Sequence, residues 1–136
     1  MVRNITKTLV AGLLVATLGL TSLTAPAQAN GQISIGINPA NTEQARAMQM
    51  GLGIYALVNG IQNGSINQRG SNNAAGLLQD GRGNLGIVHQ EGRGHNGTVE
   101  QYGNGNSYGL FQFGTGTNAH VQQNGHQSGL GFVFGW

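Results

Sequence analysis

The chain has 136 residues, of which 25 are glycine and none is cysteine, with six basic and four acidic side chains. That composition excludes a disulfide-stapled scaffold and leaves little material for a large conventional core, so stability has to come from repetition. The formal net charge of +2 does not point to nucleic acid, because Arg3 and Lys7 sit in a segment expected to be removed and the other four Arg (46, 69, 82, 93) balance the four acids.

The first expected element is a leader. Arg3 and Lys7 precede LVAGLLVATLGLTSL, and APAQAN comes after it, with Ala27 and Ala29 framing a small-x-small cleavage site. This is the pattern of a Sec-type signal peptide over residues 1–29, cut after Ala29; its apolar run of about 15 residues is shorter than the about 20 that a bilayer span needs. Export of the remaining chain is the expectation.

Residues 30–60 form an N-terminal segment. QISIGIN alternates like a strand, with Ile33, Ile35 and Ile37 on one side. After Pro39, NTEQARAMQMGLGIYALVNG has the signals of a helix capped by Asn41 or Thr42 and stopped at Asn59-Gly60. Gly51 and Gly53 weaken that helix, and GLGIYALVN also fits a degenerate strand. The segment either caps the C-terminal two thirds of the chain or carries information for export or attachment.

Residues 61–136 are periodic. Glutamine recurs in even steps of eleven at Gln68, Gln79, Gln90, Gln101, Gln112 and Gln123, and glycine stands two positions behind each at Gly70, Gly81, Gly92, Gly103, Gly114 and Gly125. Two positions before each Gln is an aliphatic side chain: Ile66, Leu77, Val88, Val99, Leu110, Val121. Alternation with period two puts these three positions on one face of a short strand. The residues between, such as SNN, RGHN and NGN, are turn formers that tolerate positive φ.

Each repeat is long enough for one strand and one turn, and two repeats make a coil. The expected fold class is therefore all-β, a β-solenoid of cross-β strand-turn-strand coils, each of two half-repeats, with a short N-terminal strand and helix segment. Stacked coils would place Gln68, Gln90 and Gln112 in one amide ladder and Gln79, Gln101 and Gln123 in another. Outside, Arg69 would neighbour Glu91. The periodicity also disposes of a nucleotide motif: Gly92, Gly94 and Gly97 match G-x-G-x-x-G, but no helix pattern comes after them, and the same spacing repeats at Gly81, Gly83 and Gly86.

The C-terminus reads GFVFGW. Counting by whole coils puts Phe132 at the aliphatic position, Phe134 at the Gln position and Trp136 at the Gly position, an apolar last strand. Phe132, Phe134 and Trp136 either plug the solenoid or form a docking end.

The repeat resembles the curlin repeat of curli fibre subunits over about residues 66–136. Gln68, Gly70, Asn73, Ala75 and Gln79 match its Gln-Gly-Asn-Ala-Gln pattern throughout. The third unit keeps Gln112, Gly114, Ala119 and Gln123 with Thr117 for Asn, and the second keeps Gln90, Gly92 and Gln101 with His95 and Gly97. The resemblance implies a secreted subunit that passes an outer-membrane secretion channel and polymerises into extracellular amyloid fibres at the bacterial cell surface, for adhesion and biofilm matrix. Its implied partners are further copies of itself and a nucleator or major curlin subunit. Residues 30–60 depart from the Gly- and Asn-rich export segment of that family.

Other chemistry finds little support. His89, His95, His120 and His126 and the acids are scattered over outward or turn positions without a nucleophile and base in pairing distance along the repeat, so no catalytic, cofactor or metal residues are expected. Neither nucleic acid nor a small-molecule substrate is an expected partner. Two functions stand: a self-assembling structural subunit, and a soluble monomeric solenoid or Gln/Asn-rich surface protein that binds another envelope component.

Overall fold

The computed structural model describes residues 22–24 and 31–136. The leader expected over residues 1–29 lies outside them, save for Ser22–Thr24, a short strand β1. β2 spans Gln32–Ile37 and the helix α1 spans Thr42–Val58. Then come β3 Gly64–Ser71, β4 Ala74–Asp80, β5 Leu85–Arg93, β6 Asn96–Tyr102, β7 Ser107–Thr115, β8 Asn118–Asn124 and β9 Ser128–Gly135.

These strands wind into a β-solenoid. One sheet has the order β1-β2-β9-β7-β5-β3 and the other β4-β6-β8. β3, β5 and β7 pair in parallel, as do β4, β6 and β8, and the register sets each residue above its equivalent one coil earlier: Gln68 beside Gln90 beside Gln112, and Gln79 beside Gln101 beside Gln123. The inner space between the sheets holds Val88, Val99, Tyr108, Leu110 and Val133, with Ala75, Leu77, Ala119 and Val121 packed against them.

Two thin ladders hold the coils in register. Gln68 Nε2 donates to Gln90 Oε1 at 2.9 Å, and Gln90 Nε2 to Gln112 Oε1 at 2.7 Å. Gln79 donates to Gln101 at 2.9 Å and Gln101 to Gln123 at 2.8 Å. The second N–H of each inner amide meets a backbone carbonyl: Gln90 that of Ala74 and Gln101 that of Leu85. Gln90, Gln101 and Gln112 have no exposed surface, and a buried amide is tolerable only because its donors and acceptor are so used. The glycine behind each Gln has positive φ, from 68° at Gly125 to 132° at Gly92. A Cβ on Gly92 would run into the Gly114 carbonyl of the next coil, so the strand end needs glycine for both conformation and close approach.

Two departures from the expected pattern shape the C-terminal end. β9 pairs with β7 at an offset one residue shorter than that of the other coils, setting Phe111 beside Phe132, Gln112 beside Val133 and Phe113 beside Phe134. The cause is the last turn, which runs from Tyr102 to Ser107 between β6 and β7 but only from Asn124 to Ser128 between β8 and β9. With an odd shift every side chain changes face. Val133 therefore takes the inward Gln position, at 3% exposure, while Phe132 and Phe134 stack outside on Phe111 and Phe113 at 5.2 and 5.5 Å. Trp136 is mostly exposed, its N–H bonded to the Gly31 carbonyl.

β2 then covers β9. It pairs antiparallel, matching Ile33 with Phe134, Ile35 with Phe132 and Ile37 with Leu130, and it carries β1 on its far edge. The helix forms as expected, and GLGIYALVN is part of it. Asn41 Oδ1 accepts from the Gln44 N–H and Gln44 Oε1 accepts from the Ala40 N–H, a reciprocal cap. Gly60, at φ 69°, ends it in a left-handed turn that lets the Ile61 N–H reach the Ala56 carbonyl. α1 lies on the outer face of the larger sheet, where Gly109 leaves room for Leu52 and Tyr55 meets Phe111 edge-on at 5.9 Å.

The ladders make a directional stability prediction. Replacing Gln101 with Ala removes one donor-acceptor link on each side in a buried interior and is expected to cost about 2 to 4 kcal/mol. Gln68→Ala, at the exposed end of the other ladder, is expected to cost less than about 1 kcal/mol. Urea denaturation of the two variants checks the difference.

Candidate assembly surface

The expected core residues occupy a gradient of burial from one end of the solenoid to the other. Val88 and Leu110 are 0% and 1% exposed, yet Ile66, their equivalent in the first coil, is 43% exposed. Every residue of β3 is exposed except Ser65, and β4 is half-covered. β3 and β4 are the outermost strands of their sheets on the same side, so both backbone edges of the first coil are bare.

Side chains at that end repeat the incompleteness. Gln68 and Gln79 donate into the coil above, but no donor reaches the Oε1 of either among the described residues. Leu78, on the outer side of β4, is 49% exposed. An unfinished amide ladder, a bare parallel edge and two uncovered aliphatic side chains together form a surface that fits one more coil of the same kind.

The opposite end is stepped. β9 is sealed by β2, while β8 is the last strand of the smaller sheet. At the start of β8 the Gln32 side chain substitutes for a neighbouring strand, donating to the Asn118 carbonyl at 2.9 Å and accepting from its N–H at 2.8 Å. Gln123 Nε2 donates to the Ser107 carbonyl at 3.2 Å and has no Gln above it to continue the ladder. Phe132 and Phe134, inward by the count of the repeat, instead join Ile35, Ile37 and Met48 in an outer apolar cluster.

Corner residues add a third and a fourth ladder that the register of Gln and Gly does not disclose. The Asn73 side chain accepts from the His95 N–H at 3.1 Å and donates to the Gly92 carbonyl. On the other corner Asn84 accepts from the Asn106 N–H at 2.9 Å and donates to the Gly103 carbonyl, and Asn106 Oδ1 accepts from the Gln127 N–H. The whole-coil spacing of Asn84 and Asn106 was the available signal. His95 is buried at 1% exposure in the Asn position, its Nδ1 2.7 Å from Thr117 Oγ1, and is not the solvated turn residue expected.

Comparisons with protein-family models, with curated proteins and with solved structures return no match. The site is therefore understood from its own chemistry. Arg69 lies beside Glu91 in the register as expected, but the carboxylate of Glu91 is near His89, 3.8 Å away, on the same strand. Outside the smaller sheet Thr98 and His120 bond at 2.6 Å across a coil boundary. Tyr108 is the one bulky residue in the row otherwise lined by Gly64, Gly86 and Gly129, and its ring occupies the space that Gly129 and Gly131 leave open.

Burial pushes the Tyr108 phenol up to about 12. The neutral phenol is favoured in the fold, so its contribution to stability is complete below about pH 10 and is lost as pH rises from there toward 12. Ultraviolet titration should show one tyrosine ionising last, together with loss of the fold, and a Tyr108→Phe variant should lose that late step.

Proposed function

We propose that this protein is a secreted structural subunit that self-assembles, coil on coil, into curli-like extracellular amyloid fibres for cell adhesion and biofilm matrix. The observation that carries this is the uncovered coil of β3 and β4, whose Gln68 and Gln79 amides, Ile66 side chain and backbone edges all lack the neighbour that every inner coil has. Ordering a coil of this length costs on the order of 20 to 40 kcal/mol of conformational entropy, so a coil with one naked face is stabilised strongly by any matching strand pair. The match of Gln, Gly, Asn and Ala positions to the curlin repeat supports the same conclusion. On this proposal the partners are other copies, a nucleator or major curlin subunit, and a secretion channel that the leader would feed; the chain acts by packing and not by catalysis.

A specific observation favours the second function, a solenoid that stays monomeric and binds another envelope component. β2 seals β9, and α1 presents Met50, Ile54, Leu57 and Val58 as exposed apolar side chains.

Fibre diffraction of the incubated mature chain separates the two. Reflections at about 4.7 Å and about 10 Å are expected for the fibre; soluble monomer at high concentration without them overturns it. A cleaner probe than the fully buried Val99, whose replacement by Asp would unfold the subunit itself, is Ile66→Lys. That substitution sits on exposed surface, so folding is expected to survive, while assembly is expected to slow about tenfold or more because a charge would have to enter the dry interface.

A further inference from the structure

We propose that β2 is a removable stop, and that the end of the solenoid it guards, the β9 edge it covers and the β8 edge whose start Gln32 occupies, receives the β3 and β4 end of a second copy turned by half a revolution about the solenoid axis. The inference rests on the fibre function above and specifies its interface.

Strand counting leads to the half-turn. From β3 to β9 the solenoid has seven strands, four in one sheet and three in the other. The next position along the winding is over β8, in the smaller sheet. A second copy stacked without rotation would lay its β3 on β9 and leave that position over β8 empty. Turned by half a revolution, it lays β3 on β8 and β4 on β9, parallel in both sheets, and the winding continues without a gap. β2 prevents this, since it occupies the edge of β9 in antiparallel sense and supplies the Gln32 side chain that substitutes for a strand at Asn118.

The side chains agree with that placement. With β3 over β8 in the repeat register, Ile66 covers Val121, Gly70 comes to lie over Gly125, and Gln68 stands over Gln123. The Oε1 of Gln68 has no donor among the described residues, and the Nε2 of Gln123, which donates only to the Ser107 carbonyl, has a second hydrogen to give. The amide ladder thereby runs from copy to copy in the direction it has within each chain. With β4 over β9, Gln79 stands over Val133 and the exposed outer Leu78 comes to rest beside Phe132. Two parallel strand pairings, made by β3 and β4, replace the single antiparallel pairing of β2.

A folded copy with β2 in place can thus add to a growing end through its own β3 and β4, yet its own β9 edge is closed to the β4 of the next copy and the start of its β8 is occupied by Gln32. It is a chain terminator until β2 leaves. β2 also carries β1 on its outer edge, and β1 lies within the expected leader.

The test uses the full mature chain with Ser34→Cys and Val133→Cys, a directly opposed pair on β2 and β9 in a protein that has no other cysteine. Such pairs have a Cα separation that a disulfide spans. Oxidised, the variant is expected not to elongate seeds made from the unsubstituted chain, and when mixed in at a small fraction it should arrest their growth, lowering the elongation rate about tenfold or more; reduction should restore it. The companion variant Ile35→Asp, which loosens β2 without altering β8 or β9, should shorten the lag. Fibres should contain one chain per three and a half coils, about 17 Å of axis at a strand spacing of about 4.8 Å. If the oxidised variant elongates seeds as fast as its reduced form does, without arrest, the stop is overturned while fibre formation stands. Failure of the reduced and unsubstituted chains to elongate at all overturns both.

Discussion

The structure depends on one interaction, the hydrogen bond between a side-chain amide and its copy one coil away. An amide has a donor side and an acceptor side, and its length along the ladder matches the separation of neighbouring strands. Stacked in register, Gln68, Gln90 and Gln112 satisfy one another at 2.7 and 2.9 Å, the inner two wholly removed from solvent. A slip of one residue would put those amides outside and leave apolar contacts and amides facing the wrong partners. Register is thereby enforced by polar groups within an interior too small to enforce it by volume. The aliphatic residues supply burial, and the amides decide where each lies.

A ladder made this way has polarity and no natural end. Each coil passes a donor to the next, so any finite stack leaves acceptors open at one end and donors at the other. The protein handles its two ends differently. At β3 and β4 nothing among the described residues covers the opening. At the other end the repeat is interrupted chemically, by Val133 in place of Gln, and geometrically, by an antiparallel strand with a helix beside it. The outer face shows the same gradient: the row Asn67, His89, Phe111, Phe132, Ile35 runs from polar to apolar across the sheet. The helix rests on the apolar part because only there does its Met48 and Leu52 face find partners.

Most of the solenoid was legible in the sequence because its signal is a period. Evenly spaced Gln and Gly name the strands, their inward faces and the coil length together, and the pairing of β3 through β8 comes from that count. The helix was legible from Asn41 and the Asn59-Gly60 stop, although two glycines lower its intrinsic stability; burial of Met48, Leu52 and Ala56 compensates. What the count could not supply were events outside it. β2 pairs with a strand at the far end of the chain, and no local pattern encodes that partner. His95 looked like a turn residue because its neighbours are turn formers, whereas the ladder position it inherits from Asn73 is internal. The open surface at β3 was visible only once burial distinguished Ile66 from Val88 and Leu110, since in sequence the three positions are alike.

The shortened turn after Asn124 removes one residue from a chain whose other coils keep the count. Because strand faces alternate, that single omission exchanges the inner and outer sets of the last strand as a whole. Phe132 and Phe134 would otherwise have pointed inward, in the rows of Leu110 and Gln112. Placed outside, they become the floor on which a helix and a strand from the other end of the chain can settle. The length of one loop, more than the identity of any side chain in it, thus joins the N-terminal segment to the repeats and turns an open periodic winding into an object with a beginning and an end.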